Sequence, residues 1–148
     1  MPRRKKTKPE PLSNFDIMHM MNKCPKFVGV YSRDDTPKLK KGESMVVNLD
    51  DSEGPGTHWC CMYREKDKVE YFDSYGFPPP QEIVDQYNGM RYSSNEIQMP
   101  TSIMCGYYCV MFLKERYSGN TMYDVIYMFD VKPSERNEKL VRNYFGFD

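Results

Sequence analysis

The stretch from Gln98 to Leu113, QMPTSIMCGYYCVMFL, places a cysteine where an apolar run begins. After Cys105 the apolar or aromatic side chains of Tyr108, Cys109, Phe112 and Leu113 follow the spacing of one helical face, so a helix is expected to start close to Cys105 itself. A thiol at the first turn of a helix feels the positive end of the macrodipole, and a neighbouring imidazolium adds to the bias towards thiolate, the nucleophilic form. Gly106 has no Cβ and would let a substrate backbone come close. Gln98, seven residues before Cys105, could present its side-chain amide to a developing oxyanion alongside the Cys105 backbone N–H.

A nucleophilic cysteine needs a base, and the chain has only two histidines, His19 and His58. His19 falls within SNFDIMHMMNKC, an expected short amphipathic helix capped by Ser13 or Asn14, where packing or surface exposure accounts for it. His58 opens HWCCMYR, which reads as a strand paired with KVEYFD. With Glu65-Lys66 as a two-residue turn, paired positions sum to 131 and His58 lies directly opposite Asp73. Cross-strand partners have Cβ atoms about 4.5–5.5 Å apart on one face, within reach of a carboxylate–imidazole hydrogen bond. That bond would fix the tautomer and support the imidazolium. Glu65-Lys66 is a poor type I′ turn, and a slip of one residue on one strand would reverse the faces. Taken alone, His58 and Asp73 read more readily as unrelated polar residues at strand ends. Together the four residues supply nucleophile, base, orienting acid and oxyanion donor.

The other cysteines read as structural: Cys109 belongs to the apolar stripe, Cys60 and Cys61 alternate along a strand so that one faces inward and the other away, and Cys24 ends a helix. Five cysteines without a C-x-x-C pair, and two histidines, suggest neither a disulfide framework nor a zinc site, so no metal is expected. Reduced thiols in an intracellular, reducing compartment are the simpler reading.

These residues must be held by a core. A chain of 148 residues, 39% hydrophobic and 14% aromatic, can bury one core, so residues 12–148 are expected to form a single domain. Residues 1–11, MPRRKKTKPEP, are expected to be a disordered basic arm: Arg3, Arg4, Lys5, Lys6 and Lys8 leave 16 basic against 21 acidic residues in the rest. Such an arm could be a solvated tail, a nuclear-localisation signal or a nonspecific DNA contact. No run of about 18 apolar residues exists to cross a membrane, and no apolar segment follows the basic N-terminus as in a signal peptide. Strands are expected at KFVGVY, SMVVNL, HWCCMYR, KVEYFDSYG and around NEIQ. Helices are expected at PQEIVDQY, CGYYCVMFLKERY, TMYDVIYMF and PSERNEKLVRNYF, the last starting at Pro133 and Ser134. Central strands with helices grouped towards the C-terminus indicate α+β architecture.

GTHW, then YFDSYGF, then a glutamine followed by six residues and CGYYCVMFL resemble the His-Trp, acidic residue, Gln-x6-Cys-Gly order of the adenains, the adenovirus maturation cysteine proteases. KFVGVYSRD resembles the segment before that family's first strands, so the similarity in motif order runs from about Asn14 to Phe129. The Ulp-type SUMO proteases share the same order. The resemblance implies His58 as general base, Asp73 as its orienting acid, Gln98 as oxyanion-hole donor and Cys105 as nucleophile, with Trp59 walling the substrate cleft. It implies a papain-like fold in the reverse chain order His, Asp, Cys, with the nucleophile helix packed on a mixed or antiparallel sheet. The acid is Asp73 where adenain has glutamate, a change the wider clan accommodates. It further implies a monomeric endopeptidase cutting capsid or core precursor proteins in the virion and host nucleus, after small residues such as glycine. No cofactor is needed for that chemistry. Adenain is stimulated by DNA and by a disulfide-tethered peptide; no cysteine lies between Cys61 and Cys105, where its tethering cysteine falls, which puts the tether in doubt here. A Ulp-like deconjugating protease and a catalytically silent binding domain on the same fold are the alternatives.

Overall fold

The computed structural model describes residues 8–50 and 58–147. Of the basic arm, Arg3, Arg4, Lys5 and Lys6 lie outside the described residues, while Lys8 lies within them and is exposed. From Glu10 onward the segment expected to be disordered is tied down, because Tyr107 donates to the Glu10 carbonyl (2.9 Å) and the Trp59 indole N–H to the Leu12 carbonyl (3.1 Å).

The elements run α1 (Asn14–Met20), β1 (Phe27–Ser32), β2 (Ser44–Asn48), β3 (Trp59–Glu65), β4 (Lys68–Phe72), α2 (Gln81–Val84), β5 (Met90–Tyr92), α3 (Cys105–Tyr117), α4 (Met122–Ile126) and α5 (Glu135–Tyr144). The strands form one mixed sheet in sequence order, antiparallel at its centre (β2–β3–β4) and parallel at both edges. This is the α+β arrangement expected. Ser13, rather than Asn14, starts α1, through reciprocal bonds with Asp16 that satisfy two donors of the first turn.

Two expectations about the sheet are corrected. The β3–β4 turn is Lys66-Asp67, one position later than Glu65-Lys66, and Glu65 pairs with Lys68. Lys66 takes φ 52°, the left-handed conformation that suits the twist of a two-residue hairpin. Moving the turn by one residue changes the pairing sum by two, so every side chain keeps its face; His58 lies diagonal to Asp73 instead of opposite it. The fifth strand is Met90–Tyr92, not NEIQ. Residues 95–98 form no ladder, because the N–H groups of Ile97 and Gln98 both converge on the Ser74 carbonyl (2.9 and 3.0 Å), just beyond the end of β4.

The sheet is covered on both faces. Val46, Cys61 and Phe72 face the helices, whereas Met45, Val47, Cys60, Met62, Val69 and Tyr71 face a second core with Leu39 and Ile83. Cys60 and Cys61 therefore point to opposite sides as alternation requires, but both are buried.

Helix α3 is the centre of the larger core. Every residue from Cys105 to Leu113 is buried, the signature of a helix surrounded by protein, and Phe112 stacks on Phe72 of β4 with ring centroids 4.6 Å apart. Each such fully buried large side chain contributes about 1.5–3 kcal/mol. Its far end is fixed by Arg116, whose guanidinium donates to Glu70 (Nε–Oε1 2.8 Å) and Glu65 and lies 4.4 Å from the Tyr63 ring centroid. On the other side Tyr108 donates to Glu138 of α5. Ser134 caps α5, and the buried Asn137 reaches from α5 to the Ile97 carbonyl (3.1 Å), holding the segment that carries Gln98.

Candidate active site

Antiparallel pairing puts the end of β2, the start of β3 and the end of β4 at the same rim of the sheet. His58 immediately precedes β3 and Asp73 immediately follows β4, so both project from that rim. Packing of α3 against β3 brings its N-terminal residue, Cys105, to the same place.

The Asp73 side chain is wholly buried and that of His58 is 16% exposed. Asp73 Oδ1 lies 2.9 Å from His58 Nε2 and also accepts from the Tyr75 backbone N–H at 2.8 Å. The second bond closes an Asx turn, and the Gly76 N–H completes the bend by donating to the Asp73 carbonyl (2.8 Å). Gly76 has φ 77° and a Cβ there would come 2.6 Å from the Ser94 carbonyl oxygen, so only glycine fits this corner. The Tyr75 ring stacks on the imidazole, 4.8 Å between centroids. Asp73 is thus fixed by its own turn, and His58 is clamped between carboxylate and phenol ring.

Burial opposes a charge on His58, but the hydrogen bonds to Asp73 and to the Cys105 side chain outweigh it and push the imidazole up to about 9. At neutral pH the ring is therefore an imidazolium whose Nε2–H donates to Asp73. Cys105 begins α3 with no side chain capping the helix and is 9% exposed, at the boundary between core and surface. Burial pushes the thiols of Cys60, Cys61 and Cys109 up, which keeps them protonated. All five cysteines are unbridged.

Gln98 is fully buried. Its Oε1 accepts from the Ser74 hydroxyl and one Nε2–H donates to the Ser102 carbonyl at 3.0 Å. Ser102 in turn accepts from the Met104 N–H through its hydroxyl (3.1 Å), which links Gln98 to the residue before Cys105. Gly106 is not open to solvent: a Cβ there would come 3.1 Å from Leu12 Cδ1 and 3.2 Å from Trp59 Cδ1. A Cβ at 106 would be crowded by the chain's own Leu12 and Trp59, so this position is covered by protein rather than left open for a substrate. Trp59 is buried between Gly106 and Leu12, and a cleft of about 300 Å³ adjoins it, lined also by Ser13, Tyr31, Ser32 and Asn48. A larger trough, about 420 Å³, lies between β5 and α4 and includes none of these residues.

Sequence reading missed Ser74, Tyr75, Ser102 and Leu12. The Asp-x-x-Gly pattern of DSYG signals the Asx turn and with it Tyr75. No local pattern marks the partners of Ser74 or Leu12, which are 24 and 47 residues away. Among the described residues no group of three His, Cys, Asp or Glu side chains could hold a metal ion, and no helix is long and apolar enough to cross a membrane.

No protein-family profile and no curated protein matches the chain. Its structure is similar to the crystal structure of ASFV pS273R protease, with a TM-score of 0.65 and 16% identity, covering 93% of this chain and 69% of that one. The selenomethionine crystal structure of the same protease gives a TM-score of 0.57 and 18% identity over 90% of this chain and 68% of that one. The fold is thus the papain-like α+β arrangement, with a mixed sheet and the Cys105 helix packed on it.

Proposed function

We propose that this protein is a cysteine endopeptidase of the adenain type, encoded by a virus or virus-like element, that cleaves capsid or core precursor proteins. The observation that carries the reading is the meeting of His58 with both Asp73 and Cys105 at the first turn of α3. A likeness of fold to a viral protease supports the reaction class.

In this mechanism the Cys105 thiolate attacks the substrate carbonyl carbon, forming an S–C bond while the carbonyl electron pair moves to oxygen. The Cys105 backbone N–H and the Gln98 amide receive that oxyanion. His58 gives its proton to the leaving amine, and the acyl thioester is then hydrolysed by water activated by the neutral imidazole. By the preference of the adenains that the sequence resembles, the cut would fall after small residues such as glycine. DNA as an activator would act through Arg3, Arg4, Lys5, Lys6 and Lys8.

The test is labelling with a peptide-like thiol electrophile followed by mass mapping, alongside turnover of peptides with glycine at the scissile bond. Cys105 is expected to be modified selectively, modification to be lost in His58→Ala, and turnover to vanish in Cys105→Ala with folding retained. Undiminished turnover by Cys105→Ala, or equal labelling of all five cysteines, overturns the reading.

A further inference from the structure

The oxyanion donor would be useful only if its amide is held the right way round, and the groups that set its orientation come from the residue next to the acid. Ser74 is fully buried. Its hydroxyl has one proton, and that proton is donated to Gln98 Oε1. Its carbonyl accepts from the Gln98 backbone N–H at 3.0 Å and from that of Ile97 at 2.9 Å. One Nε2–H of Gln98 goes to the Ser102 carbonyl at 3.0 Å, an atom that can only accept and that also receives the Tyr75 hydroxyl at 3.3 Å.

A flipped amide would set Oε1 against the Ser102 carbonyl, two acceptors facing each other inside the protein, and would leave the Ser74 proton without its acceptor. Buried unsatisfied groups are costly enough to hold one orientation. In that orientation the second Nε2–H has no acceptor among the described residues; Gln98 has no exposed surface, so an incoming carbonyl oxygen would have to part the packing over it to reach that proton.

We propose that Ser74 is a positioning residue that locks the Gln98 amide with Nε2 available to the oxyanion. Through it the short turn Asp73-Ser74-Tyr75 sets base and oxyanion donor from one rigid piece of backbone. The inference rests on the endopeptidase reading above. It assigns Ser74 an effect on the oxyanion and none on the thiolate.

Two probes separate these effects. Alkylation of Cys105 by iodoacetamide displaces iodide at a saturated carbon and creates no oxyanion. A peptide aldehyde ending in glycinal takes the thiolate at its carbonyl carbon, and the electron pair displaced onto oxygen needs the oxyanion donors.

In Ser74→Ala the affinity for the aldehyde is expected to fall about 10- to 100-fold, below the loss on removing a donor outright, while the alkylation rate is unchanged. In a Gln98→Ala background, Ser74→Ala should cost nothing further, since its effect passes through Gln98. Thermal melting monitors folding of each variant.

Equal loss in both probes would mean that Ser74 acts through the fold or the thiolate and overturns the inference. So would unchanged aldehyde affinity, or full additivity with Gln98→Ala. Each of these results leaves the endopeptidase reading standing. A wild-type protein whose Cys105 reacts with neither probe overturns that reading and this inference together.

Discussion

Burial alone would strip His58 of its proton, and it is Asp73 and Cys105 that reverse the outcome. The pH consequence follows from the sign. A base raised from 6.5 to about 9 on folding stabilises the native state fully below 6.5, and that contribution is lost as pH rises through about 9. In the proposed mechanism the same titration would remove the proton given to the leaving amine, so kcat/KM is expected to show an alkaline limb near pH 9, measurable with any turned-over peptide. Asp73→Asn takes away the larger supporting hydrogen bond; the limb should move to lower pH and kcat should fall by up to about 10⁴-fold. An unchanged limb would mean that another group holds the charge. The meeting of His58 with Asp73 was legible in sequence because the two residues lie at the ends of the two arms of one hairpin. The stacking of Tyr75 on the ring was not, since a tyrosine just past a strand reads as an ordinary turn residue.

At the scale of elements, α3 carries Cys105 at one end and a buried ion pair at the other. Burial pushes the Glu70 carboxyl up despite its partner, because the lost hydration exceeds what Arg116 returns. Arg116→Ala would leave Glu70 uncompensated in the core and should cost about 3–5 kcal/mol in urea denaturation, whereas the pair Arg116→Met with Glu70→Met should recover most of that. Iodoacetamide alkylation of Cys105 should be unaffected in the folded variant, as the pair lies at the opposite end of the helix. Four of the five strands and the long helices were largely readable from β-branched runs and i, i+3 spacing. Two details were not. The hairpin turn fell on Lys66-Asp67, where neither residue favours positive φ, so backbone twist decided over side-chain preference. NEIQ has the composition of a strand, yet its donors turn to one carbonyl at the rim, and only the three-dimensional position of Ser74 dictates that.

In the whole molecule, the first turn of α3 is a meeting point of distant parts of the chain. Tyr107 donates to the Glu10 carbonyl, and its ring packs edge-on against Phe145 and Phe147, with centroids 5.3 and 5.5 Å away. Leu12 covers Gly106 and accepts the indole N–H of Trp59, the one tryptophan of the chain. Removal of residues 1–12 is therefore expected to shift tryptophan emission to the red and to lower the melting temperature, both read in a fluorescence melt; unchanged emission would show that Leu12 does not shield the indole. The basic composition of the first residues suggested a solvated tail but gave no sign of this anchoring, because Glu10 and Leu12 acquire their partners only when the chain is folded. Contacts closing 97 and 47 residues of chain cost more loop-closure entropy than the local bonds of a helix, so they are expected to form after the helices do. During refolding, helical signal should consequently return first and reactivity at Cys105 only afterwards, so that for a measurable interval the molecule is built but chemically silent.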